Sequence, residues 1–145
     1  MELVNRKAYH DYAFEAKYIA GMVLTGTEVK SLRNGKASFN DSYCIFNHGE
    51  LFIKSLHIAE YVLGTHYNHN PVQDRKLLLT KRELKKLESK TKEKGYSIIP
   101  LKIFLSEKGI FKIEIGLGKG KKAYDKRETI KSRDVDRDIK RQYGV

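Results

Sequence analysis

The sequence predicts a mainly β protein: an OB-fold-like, closed Greek-key barrel with two or three peripheral helices and a basic C-terminal tail. Three observations predict it: about six short alternating segments bounded by turns, a few clear helix start signals, and a sharp change of composition after Leu117. The chain has 145 residues, which is enough for one domain with a modest core. Closure into a barrel would remove the exposed edges of such short strands.

Alternating residues define the first strands. Alternation over Asp11–Tyr18 predicts a half-buried strand, and Gly21–Leu24 predicts a second, short one. Ser42–Phe46 and Leu51–Ile58 are then two strands of a hairpin, in which Gly49 is expected to supply a positive φ.

A second hairpin is predicted near the end of the barrel. Ser97–Leu105 and Ile110–Leu117 flank a Glu-Lys-Gly turn, and the second segment alternates apolar and polar residues. Pro100 cannot donate a hydrogen bond to a ladder, so it indicates an edge or early strand position.

Capping signals predict the helices. A short helix fits Thr25–Gly35, with a threonine cap at its start and Asn-Gly at its end. Thr80 and Glu83 form a capping box that begins a lysine-rich helix, and Gly95 is its expected end. The lysines of this helix could face RNA, but a solvated face interrupted by glutamates is the preferred interpretation.

Charge indicates the class of partner. Lysine and arginine number 29 against 18 acidic residues, so the net charge is +11 and nucleic acid is the expected partner. We therefore predict an RNA-binding domain over residues 1–118. Residues 119–145 form a basic tail that is too polar to fold alone, and we expect it to be mobile when free and helix-prone against a partner.

The sequence singles out no catalytic, metal or cofactor site. The glycine-rich segment 116–122 lacks the spacing and the Ser or Thr of a nucleotide-binding loop, so its amides and lysines are better suited to an RNA backbone. His66 and His69 have no further ligand nearby, and Cys44 is expected to be inert core. The single cysteine and the lack of 18 consecutive apolar residues predict a cytoplasmic protein without a membrane segment.

Several stretches together resemble the small protein B family, which binds transfer-messenger RNA (tmRNA, or SsrA RNA). They are Asn5–Tyr12, Ala20–Gly21, Gly26–Lys36, Asp41–Tyr43, Arg75–Leu79 and Gly118–Arg127. Thr-Glu-Val-Lys-Ser-Leu-Arg, followed at a distance by Gly-Lys-Lys-x-Tyr-Asp-Lys-Arg, is the most specific part, and the resemblance spans almost the whole chain.

The resemblance implies an OB-fold barrel and a non-enzymatic role in ribosome rescue. In this family the barrel binds the transfer-like domain of tmRNA, and the tail enters the vacant messenger channel and decoding site of a stalled ribosome so that trans-translation can begin. The implied partners are tmRNA, the ribosome and elongation factor Tu, the last through aminoacylated tmRNA. We expect a monomer without a cofactor.

The resemblance also suggests site residues. Leu78 and Lys112 match family positions tied to RNA binding, and charge or motif membership adds five more tmRNA-binding candidates: Lys30, Arg33, Arg75, Lys76 and Lys119. The expected ribosome-engaging residues of the tail are Lys121, Lys122, Tyr124, Asp125, Lys126, Arg127, Lys131 and Arg133.

The chain departs from the family pattern at a few positions, and two rival functions remain. Ile19 stands where glutamate is common, Asn70 where aspartate is common and Gly118 where alanine is common. The alternative functions are a generic single-strand RNA-binding OB module, which would be expected to show aromatic stacking platforms, and a nucleic-acid-processing enzyme, which would need catalytic carboxylates or a metal cluster.

Overall fold

Antiparallel strands form a closed ring. The computed structural model describes residues 2–63 and 68–121. The strands of this part are β1 (Glu2–Val4), β2 (Tyr12–Met22), β3 (Ala37–Ser38), β4 (Tyr43–Asn47), β5 (Glu50–Lys54), β6 (His57–Ile58), β7 (Arg75–Leu78), β8 (Tyr96–Leu105) and β9 (Phe111–Gly120). Its helices are α1 (Arg6–Asp11), α2 (Gly26–Arg33) and α3 (Lys81–Thr91).

Strand pairing closes the barrel. The order in the main sheet is β1-β8-β4-β5-β7-β2-β9, and β9 pairs back with β8, so six strands form a ring with β1 added beside β8. β3 and β6 form a separate two-stranded ribbon. The predicted mainly β, closed barrel with peripheral helices is confirmed.

The core follows from the alternation of the strands. Each strand turns every second side chain inward, and α2 and α3 each add one leucine that is fully buried. The interior includes Leu32, Leu51, Ile53, Leu77, Leu87, Ile98, Ile103, Ile113 and Ile115.

Both predicted helices begin at capping boxes. The Thr25 side chain accepts from the Glu28 N–H at 3.3 Å, and the Glu28 carboxylate accepts from the Thr25 N–H at 2.8 Å. Thr80 and Glu83 repeat this arrangement in α3. That helix ends at Thr91, earlier than expected, because Gly95 (φ +89°) belongs to the turn before β8 and not to the cap.

Two strand boundaries differ from the predicted ones. β2 is one continuous strand through Met22, with no break before Gly21, because β9 pairs with it along its length. The predicted strand Leu51–Ile58 is instead split into β5 and β6. Ser55, with φ +65°, turns the chain between them.

Other elements were placed wrongly or missed. Pro100 does not lie on an edge, since β8 pairs with β9 on one side and with β1 and β4 on the other. The register of β8 and β9 shifts between Pro100 and Lys102, and the bulge accommodates a residue that has no N–H. The helix α1 and the short strand β7 were not predicted from the pattern of the residues.

The glycine-rich segment continues the barrel instead of forming a loop. β9 runs through Gly120, past residue 118, where the barrel was expected to end, and its residues pair with β2 and β8. A Cβ atom on Gly118 would lie 2.2 Å from the carbonyl oxygen of Ala13, so glycine permits the close approach of β2. The expectation that amides of this segment cradle an RNA backbone is therefore wrong up to Gly120, because that stretch is paired as a strand.

Candidate nucleic-acid interface

Three neighbouring strands bring predicted RNA-binding residues to one surface. Gly21 of β2 is the Cα partner of Leu78 on β7 and of Lys112 on β9. Leu78 is 49% exposed, and a Cβ atom on Gly21 would lie 3.4 Å from its Cβ, so both positions face outward on the same side. We call this outer surface the β2–β7–β9 face: Ile19, Gly21, Val23, Lys76, Leu78, Lys112 and Glu114.

The lysines of this face differ in their partners. Lys76 forms an exposed ion pair with Glu50 of the adjacent strand β5. Lys112 forms no ion pair with any residue that the structure describes. Because an exposed pair is weak and easily exchanged for another anion, both ammonium groups are available to phosphate.

Arg75 does not belong to this surface. Its side chain is 1% exposed, and its Nε donates to the carboxylate of Glu28, which is buried to the same extent. The guanidinium also donates to the carbonyls of Leu56 (2.6 Å) and Pro71 (3.0 Å). The sequence-based expectation that Arg75 contacts RNA is corrected: the structure commits this residue to the interior.

The buried pair anchors α2 to the start of β7. Burial raises the pKa of the Glu28 carboxyl, but hydrogen bonds from the Thr25 N–H and from Arg75 favour its charged form and outweigh burial, so its pKa lies below the ordinary value. Gln73 adds a further hydrogen bond to Glu28, at 3.1 Å. The carboxylate therefore joins the start of α2 to the entry of β7.

Two predicted RNA-binding cations lie on α2, apart from the strand surface. Lys30 and Arg33 are in the last turn of that helix and are exposed. The Lys30 Nζ lies 5.4 Å from the ring centroid of Tyr61, in a cation–π contact. Ser31, between them in sequence, is buried and donates to the Ala59 carbonyl at 2.7 Å, which holds the helix against the segment after β6.

The last described residues carry two more predicted cations. The Lys119 Nζ lies 4.8 Å from the ring centroid of Tyr96, whose hydroxyl donates to Glu15 at 2.5 Å. Lys121, the last residue that the structure describes, donates to the carbonyl of Tyr9 at 3.2 Å. The other predicted tail residues lie outside the described residues: Lys122, Tyr124, Asp125, Lys126, Arg127, Lys131 and Arg133.

The remaining residues considered for chemistry occupy structural positions. His69 is buried; its Nε2 donates to the Ile58 carbonyl at 2.8 Å and its Nδ1 lies 2.8 Å from the Thr27 hydroxyl. His66 lies outside the described residues. Cys44 is buried as expected, and burial raises the pKa of its thiol. In the part of the chain that the structure describes, no three His, Cys, Asp or Glu residues cluster in a way that could hold a metal.

Sequence reasoning missed part of the strand surface. Ile19 is 45% exposed and lies on the same side of β2 as Gly21. Val23, the residue after β2, is 51% exposed, and its N–H donates to the Lys76 carbonyl of β7 at 3.0 Å. The alternation over residues 11–18, if extended five residues further, would have placed both outward. Val23 was missed because the strand was expected to break before Gly21, whereas Ile19 was noted only as a departure from the family pattern.

Comparison with known proteins identifies the family. The family model of the SmpB protein matches residues 2–144. The SsrA-binding protein of Phocaeicola vulgatus is 50% identical over 143 residues, covering 99% of this chain and 95% of that protein. The SsrA-binding protein of Geotalea uraniireducens is 53% identical over 135 residues, covering 93% and 89% of the two chains.

A solved structure agrees with these relatives. A chain from a study of tmRNA-SmpB in the bacterial ribosome superimposes with a TM-score of 0.73 at 47% identity, covering 95% of this chain and 96% of that one. Identity at this level over nearly the full length implies the same fold and the same family. The protein described here belongs to the SmpB family.

Proposed function

We propose that this protein binds tmRNA and delivers it to stalled ribosomes for trans-translation. Its relatives carry the name SsrA-binding protein, and the matched solved chain comes from work on tmRNA-SmpB in the ribosome. The structural observation that carries the proposal is the meeting of Leu78 and Lys112 on either side of Gly21. Two residues selected from distant parts of the sequence as RNA contacts thus share one exposed surface.

The barrel would bind tmRNA, and the tail would bind the ribosome. The β2–β7–β9 face, together with Lys30, Arg33 and Lys119, would contact the transfer-like domain through phosphates and exposed sugar or base surface. The tail, from Lys119 to the end of the chain, would enter the vacant messenger channel and the decoding region. A cationic segment suits a channel lined by RNA phosphates, and bound messenger would exclude it.

The remaining features of the proposal follow from this role. We infer that the protein acts as a monomer in the cytoplasm, without catalysis, and meets elongation factor Tu through aminoacylated tmRNA. Among the described residues, no helix is both long and apolar enough to cross a membrane. A generic single-strand RNA-binding module is the alternative that the experiment below tests.

The first experiment compares RNA ligands. Binding of the full chain to the transfer-like domain of its own tmRNA is measured beside elongator tRNA and random RNA, at two salt concentrations. We expect a preference for the tmRNA domain that survives the higher salt. Equal binding to all three RNAs that collapses with salt would mean that charge alone is responsible, and the proposed function would be wrong.

A truncation separates the two parts. A chain ending at Gly120 keeps all of β9 and is expected to bind the tmRNA domain with little loss. Tagging of nascent peptides on stalled ribosomes should nevertheless be lost. A fall in RNA affinity in proportion to the removed charge, with tagging reduced only to that extent, would favour the generic binder.

A further inference from the structure

A cavity lies between β4 and β8, two strands of the ring that are joined by a single register pair, Cys44 with Ile98. On its other side, β4 pairs with β5 along its whole length. The cavity has a volume of about 450 Å³, and α1 and the end of α3 contribute to its wall. Ligand sites typically have volumes of about 300–1,000 Å³. We call this space the β4–β8 cavity.

The β4–β8 cavity is separate from the β2–β7–β9 face. In the ring, β4 lies three strands from β2 in either direction. None of the residues that define the β2–β7–β9 face lines the cavity. A ligand of the cavity would therefore be bound by a different set of residues from those proposed to contact tmRNA.

A buried hydroxyl in the wall of the cavity lacks a partner. Ser42, just before β4, is 4% exposed, and its Oγ forms no hydrogen bond with any residue that the structure describes. Asn5 in the same wall differs, because its amide donates to the Pro100 carbonyl at 2.8 Å and accepts from the Ala8 N–H at 3.3 Å. An unpaired buried hydroxyl is costly, and Ser42 can both donate and accept. The wall therefore favours a ligand with a polar edge.

Aromatic side chains form much of the remaining wall. They are Tyr12, Tyr43, Phe46 and Tyr96. Tyr43 is 40% exposed and has no ring contact or hydrogen bond with the described residues, so its ring is available to a ligand. Unstacked nucleobases are commonly bound by stacking on aromatic rings and by hydrogen bonds at their edges.

The charged residues of the wall favour a base over a phosphate. They are Lys7, Asp11 and Asp41. Lys7 and Asp41 form an exposed ion pair at 3.1 Å, and Asp11 lies 3.0 Å from the His10 Nδ1. Two carboxylates against one ammonium group repel a phosphate. They are suitable acceptors for the amino groups of adenine, guanine and cytosine.

We propose that the β4–β8 cavity binds an unstacked nucleobase, which stacks on Tyr43 and is hydrogen-bonded at one edge by Ser42. The base belongs either to an RNA strand or to a free nucleoside, and the experiment below separates these sources. The inference goes beyond the proposed function, because the β2–β7–β9 face has no part in it. Either one can fail without the other.

Two variants remove the groups that would hold the base. Ser42→Ala is expected to fold, because the hydroxyl that it removes has no partner in the described structure. Tyr43→Leu keeps an apolar side chain at a position that is 40% exposed. The matched controls are Ser89→Ala on the exposed side of α3 and Tyr9→Leu, since Tyr9 is 39% exposed, and neither residue lines the cavity. Thermal unfolding verifies that each variant is folded.

Binding is followed from the backbone amide NMR signals of the full chain during titration with adenosine, guanosine, cytidine or uridine. We expect the signals of Cys44, Ser97 and Ile98 to move, while those of Gly21 and Lys112 stay in place. Uridine, which lacks an amino group, should bind about ten-fold more weakly than the other three. Ser42→Ala should weaken binding of adenosine about three- to ten-fold and Tyr43→Leu about ten-fold, with both controls unchanged.

A six-nucleotide adenosine RNA and an abasic RNA of the same length separate the sources of the base. If the adenosine RNA moves the cavity signals with at least about ten-fold higher affinity than adenosine does, the base belongs to an RNA strand. If adenosine binds as tightly as the RNA, the ligand is a free nucleoside. The abasic RNA should leave the cavity signals unmoved in both cases.

Three results would overturn the inference. The first is that neither the nucleosides nor the adenosine RNA move the cavity signals. The second is that Ser42→Ala and Tyr43→Leu both bind adenosine like the unmodified protein. The third is that N-acetyltyrosinamide moves the same signals as strongly as adenosine, which would assign the cavity to an aromatic side chain of a protein partner.

Discussion

Arg75 and Glu28 form an ion pair inside the barrel, 47 positions apart in the chain, with each side chain only 1% exposed. The pair joins the first turn of α2 to the start of β7. Charges removed from water are costly unless they are paired and hydrogen-bonded, and here the guanidinium and the carboxylate each have further hydrogen-bond partners.

Removing one member of this pair should destabilise the protein strongly. We expect Arg75→Met to lower the free energy of unfolding by about 3–5 kcal/mol, because the Glu28 charge is left buried without its partner. The double variant Arg75→Met/Glu28→Leu should lose less than the sum of the two single changes. Urea unfolding of the four proteins measures the coupling. Lys76→Met, which breaks an exposed pair, is the control and should cost about 1 kcal/mol or less.

The same carboxylate should give the protein an acid-sensitive component of stability. The pKa of Glu28 is lower in the folded protein than its ordinary value of 4.5. Its contribution is therefore complete above about pH 4.5 and is lost as the pH falls through the lower, folded pKa. Glu28→Gln should be less stable at neutral pH, but its free energy of unfolding should fall less steeply below pH 4.5. Parallel pH profiles for the two proteins would contradict the assignment.

Burial should protect Cys44 from thiol reagents. Its side chain is buried, and burial raises the pKa of the thiol, so little thiolate forms near neutral pH. We expect a disulfide reagent to modify Cys44 at least about a hundred-fold more slowly in the folded protein than in urea. A cysteine placed at exposed Ile45, in a Cys44→Ser background, is the matched control and should react rapidly when folded. Comparable rates at both positions would show that Cys44 is accessible.

The turn between β4 and β5 should depend on glycine at one position. Gly49 has φ +79°, and the preceding His48 also has a positive φ of 53°, as a tight hairpin turn demands. Gly49→Ala is expected to lower stability by about 1 kcal/mol, because a Cβ atom is disfavoured in this conformation. Gly26→Ala, at the first turn of α2 with no atom within 4 Å of the new Cβ, should be close to neutral. Thermal unfolding distinguishes them, and equal effects would contradict the turn argument.

Local signals accounted for much of the fold. The threonine cap of α2, the capping box of α3, the hairpin glycine Gly49 and the alternating strand at Ile110–Leu117 each depend on a few adjacent residues. These features appear close to where the sequence placed them. The exact end of β2, the split after Lys54 and the position of Pro100 depend on which strands lie alongside. A single sequence does not contain that information, because pairing partners are distant in the chain.

The candidate site, too, could be predicted from the sequence only in part, because its residues are brought together by strand pairing. Charge and motif membership selected Arg75, but they do not distinguish a surface arginine from one that pairs with a glutamate in the interior. Leu78 and Lys112 were selected separately, and only the register of β2 with β7 and β9 reveals that both adjoin Gly21. Ile19 was noted in the sequence only as a departure from the family pattern, and the register of β2 with β9 now places it on this face beside Glu114.

The basic residues of α2 are proposed to contact RNA, whereas those of α3 are expected to face solvent. Lys30→Gln/Arg33→Gln on α2 and Lys85→Gln/Lys86→Gln on α3 remove two positive charges each, so any general effect of net charge is the same. We expect the α2 pair to reduce the salt slope of tmRNA binding by about 1.5, since each lost phosphate contact accounts for about 0.7 to 0.9. The α3 pair should leave the slope nearly unchanged, because this helix is expected to present a solvated face and not to contact the RNA. Equal losses from the two helices would indicate a diffuse electrostatic attraction, whereas a loss confined to α3 would assign the RNA contact to α3 and contradict the proposed role of α2.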